Sequence, residues 1–137
     1  MCYSDDRKQP TIMRLQDHII SRYIKCYNER DIEGLLACVT EDVIFESISN
    51  SGQNMRLEGR DAMEEVARLS TNAFSYRRQK IINFVDGGDK VSAEVQFEGK
   101  AAVDLPDGTK AGEMLTFVGA SFFELNGGLL CRIADYS

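Results

Sequence analysis

One carboxylate falls out of pattern near the end of the chain. The segment Leu129-Leu130-Cys131-Arg132-Ile133-Ala134-Asp135-Tyr136 alternates like a β-strand, with Leu129, Cys131, Ile133 and Asp135 on one side and Leu130, Arg132, Ala134 and Tyr136 on the other. An ionised carboxylate on an apolar face is costly unless it is paired or opens onto a water-filled pocket. Burial disfavours the charged form, so Asp135 is expected to titrate above a free aspartate, as a general acid or base near neutral pH requires. Arg132 faces the other way and should not neutralise it. The second polar group on an apolar stripe is Tyr23, in a stretch where Ile12, Leu15, Ile19, Tyr23 and Cys26 recur at helical spacing. Its hydroxyl is a hydrogen-bond donor carried on that stripe. Plainer roles stand beside both: an amphipathic core tyrosine for Tyr23, and a salt bridge or backbone cap for Asp135.

Other chemistries have less behind them. His18 is the single histidine, so a histidine-based zinc site is not expected, and its place off the apolar stripe suggests a solvated helix flank. Cys2, Cys26, Cys38 and Cys131 lack metal-ligand spacing. The last three sit among apolar residues, as small buried hydrophobes would. A net charge of -6 repels nucleic acid on average. The densest basic run, Arg77-Arg78-Gln79-Lys80, reads as a solvated strand face. No signal peptide and no membrane-length apolar run is visible, and a reducing cytoplasm is the simplest compartment.

The elements that must position these residues follow from period and punctuation. With 137 residues, 43% of them hydrophobic, the chain can bury a core as one domain over 11–137, after a polar tail over 1–10. A helix is expected from about Thr11, a possible N-cap, to Asn28, and a short one over Ile32–Val39 capped by Asp31. A short strand over Val43–Ser47 should lead through a polar loop, Ile48–Glu58, to a third helix over Arg60–Asn72. Four strands should then form a meander: Tyr76–Val85, Lys90–Val103, Met114–Leu125 and 129–136. Their turns are Asp86-Gly87-Gly88-Asp89, Pro106-Asp107-Gly108 and Asn126-Gly127-Gly128. Helices first and antiparallel strands after indicate an α+β fold, a curved sheet with helices packed on one face. The open end of such a cone is a natural ligand pocket. The outer face should carry Met114, Val118, Phe122 and Leu130, too apolar for solvent, so a homodimer through that face is expected.

Several segments resemble the nuclear transport factor 2-like superfamily, in its SnoaL-like and ketosteroid-isomerase-like branch. They are Tyr27-Asn28-Glu29-Arg30-Asp31-Ile32-Glu33-Gly34-Leu35-Leu36, Glu41-Asp42-Val43-Ile44-Phe45-Glu46, Gly59-Arg60-Asp61-Ala62-Met63, Ser121-Phe122-Phe123-Glu124 and Ile133-Ala134-Asp135-Tyr136. The resemblance implies a cone-shaped α+β barrel without metal or organic cofactor, so that proton transfer falls to side chains. In the isomerases an oxyanion-donating tyrosine lies within Arg-Tyr-Ile, matched by Arg22-Tyr23-Ile24. Their aspartate base is matched by Ser47, and the strand that carries their second acid reads Phe117-Val118-Gly119-Ala120-Ser121 here, without a carboxylate. The SnoaL-type cyclases place an acid/base aspartate near the sheet's end, and Asp135 matches it. The expected site is thus Asp135 and Tyr23 for chemistry, lined by Tyr27, Phe45, Ser47, Val91, Ala93, Phe117 and Ile133. The expected activity is acid/base isomerase or cyclase chemistry on a small hydrophobic carbonyl compound. The alternative is a non-catalytic ligand-binding or dimeric assembly domain of the same fold.

Overall fold

In the computed structural model, residues 15–50 and 52–137 are described. The expected tail, the Thr11 cap, Ile12 and Cys2 lie outside them. A turn of 3-10 helix, Leu15–Asp17, leads into α1, Ile19–Glu29. The cap of α1 is His18, whose Nδ1 accepts the Ile20 N–H at 3.2 Å. His18 is therefore no solvated flank. It is 6% exposed, with its ring edge-on to Phe84 at 5.4 Å. α1 ends where Arg30 turns left-handed, at φ 59°.

The Asp31 carboxylate then caps α2, Ile32–Leu36, by accepting the Gly34 N–H at 2.9 Å. This helix is shorter than its apolar spacing suggests, because Val39 already belongs to β1, Val39–Ile48. The stretch expected as loop contains β2, Met55–Glu58. Three of its four residues are exposed, so it carries no alternating apolar signal. Next come α3, Arg60–Ala73, then β3, Phe74–Asp86, β4, Lys90–Ala101, β5, Met114–Asn126, and β6, Leu129–Tyr136.

The six strands form one sheet in the order β2-β1-β6-β5-β4-β3. Every pairing is antiparallel except β1 with β6. The fold is the expected α+β cone, with the N-terminal helices packed on the sheet. Burial alternates along β4, where Val91, Ala93, Val95 and Phe97 point inward. Register joins inward residues into rows. One row runs Phe45, Ile133, Phe123, Val91, and the next runs Ser47, Asp135, Ser121, Ala93. Ile20, Tyr23 and Ile24 of α1, with Leu35 and Met63, complete the core against these rows.

Two expected faces need correction. Leu130 is not on the outer face: it is 0% exposed and pairs with Val39 and Leu125. The reason is a bulge. Leu130 faces Leu125 while Arg132 faces Glu124, so Cys131 is the extra residue and the alternation changes phase there. The basic run is not one solvated face either. Arg78 and Lys80 point out, but Arg77 points in and is 4% exposed. Among the described residues no helix is long and apolar enough to cross a membrane.

Candidate functional site

Asp135 lies near the end of β6, in register with a serine on each side, Ser47 of β1 and Ser121 of β5. The Ser121 hydroxyl donates to Asp135 Oδ1 at 2.7 Å. No cation among the described residues bears on the carboxyl. Burial pushes its pKa from 3.8 up to about 6, and the Ser121 hydrogen bond pulls the other way. Arg132 is occupied on the opposite face, 3.0 Å from both Glu46 and Glu124.

The carboxyl borders a cavity of about 160 Å³ at the open end of the cone, where Tyr27, Ser47, Gln79, Phe117 and Ser121 also stand. Phe117 stacks on Phe97, with ring centroids 5.1 Å apart, and forms an apolar wall. Gly119 permits a close approach of strands: a Cβ there would stand 2.5 Å from the Tyr136 carbonyl oxygen. A carboxylate therefore cannot be placed at position 119 without moving the backbone.

Helix α1 is docked beside this cavity by a two-way amide clasp. Asn28 Nδ2 donates to the Gln79 carbonyl at 2.9 Å, and the Gln79 N–H donates to Asn28 Oδ1 at 2.8 Å. The clasp holds the adjacent Tyr27, which lines this cavity and also a second one of about 80 Å³. Tyr23, Phe45, Met63 and Arg77 line the second cavity as well. Tyr23 sits edge-on to Phe123, 6.3 Å between centroids. Burial first, then the charge of Asp135, raises the Tyr23 hydroxyl well above its ordinary pKa. Burial also raises Tyr27, against the opposing charge of Arg77. Both hydroxyls stay protonated at neutral pH and are donors.

Of the residues read from sequence, Asp135, Tyr27, Ser47 and Phe117 thus meet at one cavity, while Tyr23 and Phe45 line its neighbour, joined to it through Tyr27. Val91, Ala93 and Ile133 are packed in the core and border neither. Ser121, Gln79 and Arg77 were not singled out as site residues. Ser121 was hidden by the bulge. Counting back from the Asn126–Leu129 pair without it would put Ser121 opposite Ala134 instead of Asp135. A wider groove of about 340 Å³ runs along the outside of α1, between Leu15, Lys25, Glu29 and Ile81, but its charged groups are exposed. No cluster of three or more histidine, cysteine, aspartate or glutamate residues that could hold a metal forms among the described residues.

Several solved structures share this fold. One is a candidate polyketide cyclase from Xanthomonas campestris pv. campestris, 23% identical over 87% of both chains with a TM-score of 0.70. Another is a hypothetical protein of ketosteroid isomerase-like fold from Catenulispora acidiphila, in complex with trimethylamine. It is 13% identical over 88% of this chain and 85% of that one, with a TM-score of 0.73. A third is an LEH-like epoxide hydrolase from M. tuberculosis, 16% identical over 86% of this chain and 78% of that one, with a TM-score of 0.69. At these identities the likeness is one of fold. No curated protein matches the chain. The sequence profile of the SnoaL-like domain matches residues 20–133, and the chain belongs to that family.

Proposed function

We propose that this SnoaL-like domain binds a small hydrophobic carbonyl compound and moves a proton on it with side chains alone, as an isomerase or cyclase does. Asp135 is the base. With a pKa of about 6 it is mostly ionised at neutral pH, yet basic enough to take a proton from the carbon beside a carbonyl. Ser121 holds Oδ1 and leaves Oδ2 for the substrate. As the C–H bond breaks, its electron pair moves onto the carbonyl oxygen, and Tyr27 or Tyr23 donates to that enolate. In an isomerisation of a β,γ-unsaturated carbonyl compound, the proton returns from Asp135 to the γ-carbon of the dienolate, and the double bond moves into conjugation. In a cyclisation the enolate carbon first attacks a second carbonyl of the same molecule, and the proton goes to the new alkoxide.

The observation that carries this reading is the carboxyl itself: half-buried at a cavity wall, hydrogen-bonded by a hydroxyl and faced by no cation among the described residues. Candidate polyketide cyclases among the structural neighbours agree with it in kind. The steroid isomerase reaction is not proposed, since Ser47 stands where those enzymes have their base and Gly119 leaves no room for their second acid. The test is exchange of α-protons for deuterium, followed by NMR over a panel of cyclic ketones and diketones. The protein should accelerate exchange on some members, and Asp135→Asn should remove the acceleration. Acceleration that survives in Asp135→Asn contradicts the assignment. Binding without exchange across the panel favours a non-catalytic ligand-binding domain.

The same proposal includes a homodimer through the outer face of β5, where Met114 and Val118 are exposed beside Phe122. Light scattering at micromolar concentration should give twice the chain mass, and a monomeric mass contradicts it.

A further inference from the structure

Arg77 has no part in the proton transfer, and its surroundings are unusual for an arginine. It is 4% exposed. Nη1 donates to Ser70 Oγ at 2.7 Å, and Nη2 reaches the Tyr27 carbonyl oxygen only at 3.5 Å. Nε is buried without a hydrogen-bond partner. The guanidinium lies over the Tyr27 ring, 3.9 Å from its centroid. No carboxylate among the described residues forms an ion pair with it, and burial first, with the charge of a second cation, Arg30, also acting, lowers its pKa from the ordinary arginine value. A buried guanidinium normally has its charge matched and its fork of donors filled, because burial without compensation is unfavourable. Here the group borders the second cavity, whose other walls include Leu35, Phe45, Leu57, Met63 and Val66. An apolar chamber bordered by a cation that no carboxylate matches is complementary to an apolar molecule that ends in an anion.

We infer that Arg77 is the anion-recognition point of the ligand site, and that the ligand carries a carboxylate in addition to the group facing Asp135. This rests on the ligand-binding reading above and narrows its substrate class to apolar keto acids and related carbonyl carboxylates. Placement follows from charge. Asp135 repels an anion in the cavity it borders, whereas Arg77 attracts one in the second cavity. Tyr27, on the wall of both, lies along the path of a molecule that reaches from one to the other. Ser70, on α3, holds the Nη1 end of the guanidinium in place.

The test compares benzoate with benzamide, which match in shape and differ in charge, by ligand-observed NMR titration of the full chain. The wild type should bind benzoate roughly tenfold more tightly than benzamide, as expected for a desolvated charge-assisted contact. Arg77→Met should abolish that preference and keep the affinity for benzamide. Arg77→Lys, which keeps the charge, should retain part of the preference and serves if the Met variant does not fold. Asp135→Asn should leave the preference intact or increase it. Equal affinity of the wild type for both probes, or a preference undiminished in Arg77→Met, overturns the inference. Absence of proton exchange in the wild type, with the charge preference present and lost in Arg77→Met, would remove the role of Asp135 and leave Arg77 standing.

Discussion

Two charged residues three positions apart on one strand have opposite fates. Arg132 points to the outer face, where Glu46 and Glu124 each approach within 3.0 Å and Lys90 adds a contact to Glu124 at 3.2 Å. Asp135 points to the inner face and finds one serine hydroxyl. The titrations diverge accordingly. The hydrogen bond from Lys90 and the help of Arg132 hold Glu124 below the ordinary glutamate range, while burial lifts Asp135 to about 6. Charges that satisfy one another on a sheet's open face contribute little and ask for no ligand. A charge left uncompensated beside a cavity is the kind of group a functional site maintains.

The sharpest way to break this contrast is to neutralise each side in turn. Asp135→Asn should lower proton-exchange activity by roughly 10²–10⁴-fold, the range for loss of a general base. The same variant should be more stable than the wild type at neutral pH. The folded-state pKa of about 6 lies above the ordinary 3.8, so the native state binds the proton more tightly, and stability falls as pH rises through that window. Removing the carboxylate should therefore raise stability by about 1–2 kcal/mol above pH 6, discounted from the full shift for partial exposure. The gain should vanish near pH 3, and thermal melts across pH check both signs.

Smaller effects separate the neighbours. Tyr27→Phe or Tyr23→Phe should cost roughly 10–10³-fold in activity, at most what one oxyanion donor supplies, and the larger loss marks the donor. Ser121→Ala removes a hydrogen bond that lowers the Asp135 pKa, so the activity–pH profile should move to higher pH with a modest loss of rate. Glu46→Gln, on the outer face, should leave activity unchanged and alter stability by no more than about 1 kcal/mol.

The inner and outer faces also differ in how far the sequence discloses them. The four long strands and their glycine turns are evident because alternation and turn chemistry coincide, and the last strand has the bounds that its pattern suggests. Asp135 was visible because a carboxylate on an apolar face violates the pattern. Ser121 and Leu130 were not, because one extra residue at Cys131 changes the phase and no local composition marks such a bulge. β2 is an exposed edge strand stabilised by pairing with β1, a tertiary contact. Arg77 was concealed in a run of surface-type residues, since alternation alone does not say which of Arg77 and Arg78 turns inward. His18 was hidden by its use as a cap, a role its residue type seldom signals.

The most direct measurement is the titration of Asp135 and Glu124 in the free protein by carboxyl-carbon NMR, assigned through Asp135→Asn and Glu124→Gln. The account predicts a midpoint of about 6 for Asp135 and one below the ordinary glutamate value for Glu124. A midpoint for Asp135 at or below that of a free aspartate would show that its charge is compensated, and would contradict the role assigned to it.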